Sequence, residues 1–336
     1  MVTPLCDSLG IRHPVIQAAI GSLTCPELAA AVTEAGGLGT LAVYGRGAQG
    51  VHDRIAAARA LTRGPFAANF ILADDFILAR DAAAEIDAAL DAGAPVISLF
   101  WGDPAPHARR ISAAGAKLFV TVGSVDEAKA AADAGADAVV AQGWEAGGHV
   151  RGTISTLALV PAVVDAVAPV PVIAAGGITD GRGVAAALAL GAQAVWVGTA
   201  FLAAEEADIA PHYRDRVLAA TASDTWIGML YDGGWPGAPG RTLVNSTLQA
   251  WQAAGEPPPG QRPGEGDVLT RAEDGSEIRR YDAAVAHAGR RGDVEGMPLW
   301  AGQGVGLVRR REPAAEIVRR LVSEASAALS QIRLAP

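Results

Sequence analysis

Hydrophobic positions in the first two hundred residues fall into short runs that are apolar throughout, separated by longer alanine-rich stretches with helical spacing. The runs are 14–17, 38–42, 66–70, 95–99, 118–122, 138–141, 172–175 and 194–197. A strand with one solvated face would alternate; runs without alternation predict strands buried on both faces, as in a parallel sheet wrapped by helices. The intervening stretches end at Ala35-Gly36, Ala92-Gly93, Ala114-Gly115, Ala134-Gly135 and Leu190-Gly191, and a strand-like run follows each within a few residues. Glycine just past a helix is the usual C-terminal stop, so the order helix, glycine, strand repeats along the chain. Eight such units predict an α/β fold, a closed (β/α)8 TIM barrel rather than an open sheet. Thr24-Cys25-Pro26-Glu27 reads as a capping box opening the first helix of the repeat, over 28–35, and Ser124-Val125-Asp126-Glu127 as another before the fifth.

The alternation stops after Leu202. Residues 204–300 carry Trp226, Trp235 and Trp251 and the hydrophilic run Glu256-Pro257-Pro258-Pro259-Gly260, with no strand–helix period. The expected division is a barrel over 1–203, a smaller insertion over 204–300 covering the barrel mouth and the substrate, and a closing segment over 301–336. In the last, Ile317, Leu321 and Ala325 share one helical face.

Composition narrows the class. The chain has 336 residues, 50% hydrophobic and 19% charged, and no apolar run approaches the ~20 residues of a membrane helix. Its N-terminus has no basic segment followed by an apolar one, so a cytoplasmic protein is expected. A formal charge of −9 argues against a nucleic-acid surface, and Arg309-Arg310-Arg311 reads as a solvated face. Cys6 and Cys25 are too few for a disulfide framework and lack metal-site spacing. Lys117 and Lys129 are the only lysines, which limits Schiff-base chemistry.

The densest chemistry is Gln142-Gly143-Trp144-Glu145-Ala146-Gly147-Gly148-His149-Val150-Arg151-Gly152, directly after the sixth predicted strand. In such barrels the loops following strand C-termini carry function, and glycine allows close approach to a ligand. Ala174-Ala175-Gly176-Gly177-Ile178 and Val197-Gly198-Thr199-Ala200 end the seventh and eighth predicted strands. Each is expected to open toward a helix whose free N–H groups favour an anion, the usual phosphate position of the fold. Gly45-Arg46-Gly47-Ala48-Gln49-Gly50 matches the dinucleotide fingerprint literally, but Phe66-Ala67-Ala68-Asn69 stands where a ribose-binding carboxylate should. His13, His52, His107, His212 and His287 lie outside any such cluster, and no His/Asp/Glu spacing suggests a metal. Glu145 reads as a loop-orienting or helix-capping residue.

Taken together, Gln142-Gly143-x-Glu145-Ala146-Gly147-Gly148-His149, Ala174-Ala175-Gly176-Gly177-Ile178-x-Asp180-Gly181 and Gly198-Thr199-x-Phe201-Leu202 resemble the nitronate monooxygenase family, to which flavin-dependent enoyl-acyl-carrier reductases are related. The likeness extends to Pro14-Val15-Ile16-Gln17 and to Ala301-Gly302-Gln303-x-x-Gly306-Leu307. It implies an FMN barrel, with Gly176, Gly177, Gly198 and Thr199 at the phosphate, Asn69, Gln142, Gly147 and Gly152 around the flavin, and His149 as catalytic base. Imidazole titrates near neutral pH, which suits removal of an α-proton. The expected reaction is FMN-dependent oxidation of alkyl nitronates by dioxygen to carbonyl compound and nitrite, and a homodimer is allowed for. The alternative is an NAD(P)H-dependent FMN reductase acting on enoyl thioesters or quinones. A Schiff-base lyase is disfavoured, since Lys117 begins its strand, at the wrong end of the barrel.

Overall fold

The apolar runs become parallel strands whose order closes on itself. The computed structural model describes residues 1–79, 81–272 and 275–331. Its first nine strands are β1 (Val15–Gln17), β2 (Gly39–Ala42), β3 (Phe66–Ile71), β4 (Val96–Phe100), β5 (Lys117–Val122), β6 (Ala138–Gln142), β7 (Gly148–His149), β8 (Val172–Ala175) and β9 (Ala194–Val197). All but β7 form one sheet in the order β1-β9-β8-β6-β5-β4-β3-β2, every adjacent pair parallel. Between its two ends, Leu38 donates its N–H to the Val15 carbonyl at 3.0 Å and accepts that of Gln17 at 2.9 Å, which closes the barrel.

The twofold period of each strand sorts its residues into two cores. Ile16, Ala67, Val96, Phe119, Val140 and Ile173 form an inner cluster, joined at its base by Leu5, Cys6 and Leu9 of the short helix α1 (Pro4–Leu9). Their neighbours Val15, Ala68, Ile97, Val120, Val139 and Val172 join the apolar faces of the surrounding helices. Those helices are α2 (Pro26–Glu34), α3 (Gly47–Leu61), α4 (Ala82–Asp91), α5 (Ala105–Ala113), α6 (Val125–Asp133), α7 (Thr156–Val167) and α8 (Gly181–Ala189). With Phe119 fully buried at the centre, truncation to alanine would cost about 3–5 kcal/mol.

Local signals set most of the boundaries. Gly36, Gly93, Gly115, Gly135 and Gly191 all have φ between 75° and 96°, the left-handed stop expected after each helix. Ser124 caps α6 by accepting the Glu127 N–H at 3.2 Å. Thr24 departs from expectation. The residue before α2 is Cys25, with no side-chain cap, because the Thr24 hydroxyl accepts the Ala42 N–H at 3.0 Å and donates to the Gly21 carbonyl at 2.9 Å. A tertiary contact to the end of β2 takes the group that a capping box would have used.

Residues 204–300, whose sequence shows no strand–helix period, nevertheless hold regular structure. They hold α9 (Pro211–Ala219), β10 (Thr225–Gly228), β11 (Gly240–Leu243), α10 (Ser246–Ala253), β12 (Val268–Arg271), β13 (Glu277–Arg279) and β14 (Arg291–Gly292). These strands are two to four residues long, too short to show a period. They pair in two antiparallel sheets, β10-β11-β7 and β13-β12-β14, so the first binds the β6 loop of the barrel to the inserted region. Tyr213, Val217, Leu243, Met297 and Leu299 share the main cluster with the barrel. The helix α11 (Ala314–Gln331) then buries Ile317, Leu321 and Ala325 and rests on α8 and α2, closing the helical ring.

Candidate active site

A cavity of about 1270 Å³, counting the solvent at its open mouth, lies at the C-terminal ends of the barrel strands. Asn69 ends β3 there, Gln142 ends β6, Gly147 and His149 follow it, and Gly176, Gly177, Gly198 and Thr199 follow β8 and β9. All eight line this one space. Gly152 does not. A Cβ on it would sit 2.2 Å from the Gly123 carbonyl oxygen, so this glycine lets the β6 loop cross the end of β5. None of the described residues lining the cavity is Asp, Glu, Lys or Arg.

His149 lies on β7, opposite Gly240 of β11, so it is held by a sheet rather than by a loose glycine loop. Its Nδ1 lies 3.2 Å from the Ala238 carbonyl. A carbonyl only accepts, so Nδ1 carries the hydrogen and Nε2 keeps its lone pair. The ring is packed between Trp235, with centroids 4.3 Å apart, and Trp300, at 5.1 Å. This overturns the expectation of titration near neutral pH. Burial pushes the imidazole down to about 4, against the opposing pull of the Ala238 and Pro239 carbonyls. At neutral pH His149 is an uncharged acceptor.

Gln142 holds this residue's backbone. Its side-chain amide donates to the His149 carbonyl at 3.1 Å, and its Oε1 accepts the Arg151 N–H at 3.0 Å. Asn69 is less engaged; only 6% exposed, its amide reaches Ser98 at 3.3 and 3.4 Å, beyond good hydrogen-bond length.

The two glycine turns differ from the expected helix-end cradle. At α8, Asp180 accepts the N–H groups of Arg182 and Gly183 at 3.0 and 3.1 Å, and Glu324 accepts that of Gly181 at 2.9 Å. That helix end is therefore satisfied by protein carboxylates. After β9 the chain enters a single 3₁₀ turn over Thr199–Ala203 instead of an α-helix. The loop amides remain. Those of Gly176, Gly177 and Gly198 line the cavity and find no acceptor among the described residues. Uncompensated amides at a cavity wall suit a ligand anion, so the donor set fits a phosphate monoester such as that of FMN, by neutral dipoles alone.

Below these turns, the Glu145 carboxylate accepts the Thr156 N–H and hydroxyl, both at 2.9 Å, and the Thr156 Oγ1 also lies 3.0 Å from the Gly176 carbonyl. The Glu145 carbonyl accepts the Gln303 N–H at 2.9 Å, and the Thr199 hydroxyl accepts that of Gly302 at 3.0 Å. Glu145 is thus structural, as read from sequence, and joins the β6 loop, the β8 turn and the closing segment.

The fingerprint Gly45-Arg46-Gly47 is an anion nest already filled. The N–H groups of all three residues donate to the buried carboxylate of Glu85, at 3.0, 2.7 and 2.7 Å. Of the other histidines, His212 pairs with Glu295 at 2.6 Å, and none lines the cavity. Lys117 pairs with Asp137 at 2.9 Å, at the far end of the barrel.

Sequence reading missed much of the cavity wall: Tyr44, Phe76, Phe100, Trp196 and Trp300 line it too. Trp300 is fixed through its carbonyl by the hydroxyl of buried Tyr213. For Trp196 and Phe100 the place at the end of a barrel strand was a usable signal; Tyr44, Phe76 and Trp300 carry none.

The sequence profile for nitronate monooxygenase matches residues 2–324. A probable nitronate monooxygenase of Staphylococcus aureus (strain Newman) is 32% identical over 362 residues, covering 95% of this chain and 96% of its own. A (3aS,4S,5R,7aS)-5-hydroxy-7a-methyl-1-oxo-octahydro-1H-indene-4-carboxyl-CoA dehydrogenase of Rhodococcus jostii (strain RHA1) is 38% identical over 253 residues, 75% of this chain and 69% of its own. The crystal structure of a nitroalkane oxidase from Streptomyces ansochromogenes superposes with a TM-score of 0.80 at 32% identity, over 97% of this chain and 99% of that one.

Proposed function

The chain belongs to the nitronate monooxygenase family of oxidoreductases, and from that premise we propose that it oxidises alkyl nitronates, with FMN and dioxygen, to carbonyl compound and nitrite. The observation that carries this reading is His149. A neutral imidazole with a free Nε2 lines the same cavity as three uncompensated loop amides. The amides of Gly176, Gly177 and Gly198 would hold the cofactor phosphate, and the Asn69 amide has donors to spare for the ring system. When bound, the flavin would supply the electron acceptor and the place where dioxygen is reduced.

His149 would accept the α-proton of a neutral nitroalkane at Nε2. Its Nδ1–H, on the Ala238 carbonyl, keeps the ring in the accepting tautomer. With no charged side chain on the cavity wall among the described residues, the new imidazolium would have the nitronate itself as its counter-ion. Phe76, Phe100, Trp235 and Trp300 would exclude water from that pair. Preformed nitronate bypasses the step.

The test is aerobic turnover of propyl-type nitronates, with nitrite measured and NAD(P)H absent. No nitrite from flavin-replete protein would overturn the reading. The Rhodococcus dehydrogenase, whose name specifies a CoA thioester, supports a second: NAD(P)H-dependent reduction of an enoyl thioester or quinone. Anaerobic mixing separates the two. Bleaching of the flavin by nitronate supports the first, and bleaching by NADPH with thioester turnover supports the second.

A further inference from the structure

Two covers meet over the cavity. One is the barrel's own loop after β3, residues 72–79; the other is the roof segment 232–238. Trp235, 1% exposed, sits where they touch. Its ring lies 4.3 Å from His149 and 4.6 Å from Phe76, at an interplanar angle of 30° in the second case. Its indole N–H donates to Asp75 Oδ1 at 3.0 Å. Two residues on, the Ile77 N–H donates to the Gly234 carbonyl, also at 3.0 Å. The loop is anchored at its start, where Ala73 and Phe76 are buried, Phe76 meets the Tyr44 ring at 5.7 Å and the Leu72 N–H donates to the Phe100 carbonyl at 2.9 Å; its outer part is lightly held, Ile77 and Leu78 being 51% and 45% exposed. An outer segment tied to the roof by these two hydrogen bonds and the Phe76–Trp235 ring contact opens more readily than the core beneath it.

We propose that residues 72–79 form a lid, latched by the Asp75 carboxylate on the Trp235 indole N–H, and that Asp75 is thereby a positioning residue for His149. Among the described residues the latch is the one charged contact between the covers at this point, and it acts on the ring that shields the imidazole. His149 otherwise meets the Trp300 ring and the carbonyls of Ala238 and Pro239, and no charged side chain among the described residues lines its cavity. With the latch shut, Trp235 is pressed between Phe76 and His149 and water is kept from the ring. With it open, the Trp235 indole loses its hydrogen bond to Asp75, and one wall of the cavity goes with the loop. The inference goes beyond the proposed reaction and holds whichever substrate the site takes.

Amide hydrogen exchange over residues 72–79 tests it in the purified, flavin-loaded protein. Asp75→Ala removes the acceptor, Asp75→Asn keeps an acceptor oxygen, and Trp235→Phe keeps a ring but removes the N–H. Exchange at Ile77 should quicken on the order of tenfold in Asp75→Ala and Trp235→Phe, the effect of losing a hydrogen bond to a charged group, and stay near wild type in Asp75→Asn. The double variant Asp75→Ala/Trp235→Phe should be no faster than either single one, because both delete the same bond. By NMR, the His149 titration midpoint should rise from about 4 toward the ordinary imidazole value in Asp75→Ala and not in Asp75→Asn. Unchanged exchange in Asp75→Ala, or multiplied effects in the double variant, would overturn the latch. Asp75 is on the surface, so its alanine variant leaves the core intact. If Trp235→Phe does not fold, the Asp75 pair decides alone.

Discussion

Lowering the pH tests the surroundings of His149, because the ring is neutral there for a physical reason that can be measured. Desolvation between two indoles pushes its pKa to about 4. At pH 5.5 such a ring is about 3% protonated, whereas an ordinary imidazole at 6.5 would be about 90% protonated and would have lost most of its base form. With a neutral nitroalkane, kcat/KM should therefore hold within about twofold from pH 7 to 5.5. It should fall about tenfold per pH unit only below about 4. Stability supplies an independent arm. The folded pKa is depressed, so the unfolded chain binds the proton first, and the contribution present above pH 6.5 is lost as pH falls toward 4. At about 1.4 kcal/mol per unit across that window, wild type should lose about 3 kcal/mol more than His149→Phe, which has no proton to bind. Urea unfolding of both proteins at pH 7 and pH 4.5, in the same flavin state, would reveal most of this difference. An acid limb near 6.5 in kcat/KM, or parallel losses of stability, would refute the argument that the tryptophans hold this ring neutral.

Other expectations follow from the same site. His149→Ala should keep its flavin and lose a factor on the order of 10²–10⁴ in kcat/KM with neutral nitroalkane, and much less with preformed nitronate; equal losses would remove His149 from the role of base. Denatured protein should release FMN and not FAD, as chromatography of the supernatant will show. Gly177→Asp should weaken FMN binding well beyond Gly177→Ala. Both variants bear the strain of a side chain at φ 69° and a Cβ 3.3 Å from that of Glu145, but only the first adds a carboxylate to repel the phosphate, so equal dissociation constants would move the phosphate elsewhere. Glu85→Gln should destabilise the fold by about 1–3 kcal/mol, read as a lower urea midpoint, with flavin content unchanged. Loss of flavin in that variant would mean that the Gly45–Gly47 nest serves the cofactor after all.

The barrel was legible because its signals are local. Unbroken apolar runs, the glycines that end five of the helices and the Ser124 cap depend on residues a few positions apart, and each was found where the chain placed it. Thr24 misled for the complementary reason: its hydroxyl answers to Ala42, eighteen residues away. The same division runs through the site. Gly147, Gly176, Gly177, Gly198 and Thr199 follow strand ends, and strand ends in a closed barrel must converge, so sequence position alone brings them to one cavity. The contacts that give the cavity its character are long-range. Glu85 fills the nest of Gly45–Gly47, Ala238 fixes the tautomer of His149, and Asp75 reaches Trp235 across 160 residues. Local periodicity carries no information about such pairs. The sequence by itself determined a ring of eight strands and which loops gather at its mouth. Only the tertiary structure decided that the histidine there is uncharged, because desolvation depends on what is folded over it, and the two tryptophans that do so come from a region with no readable period.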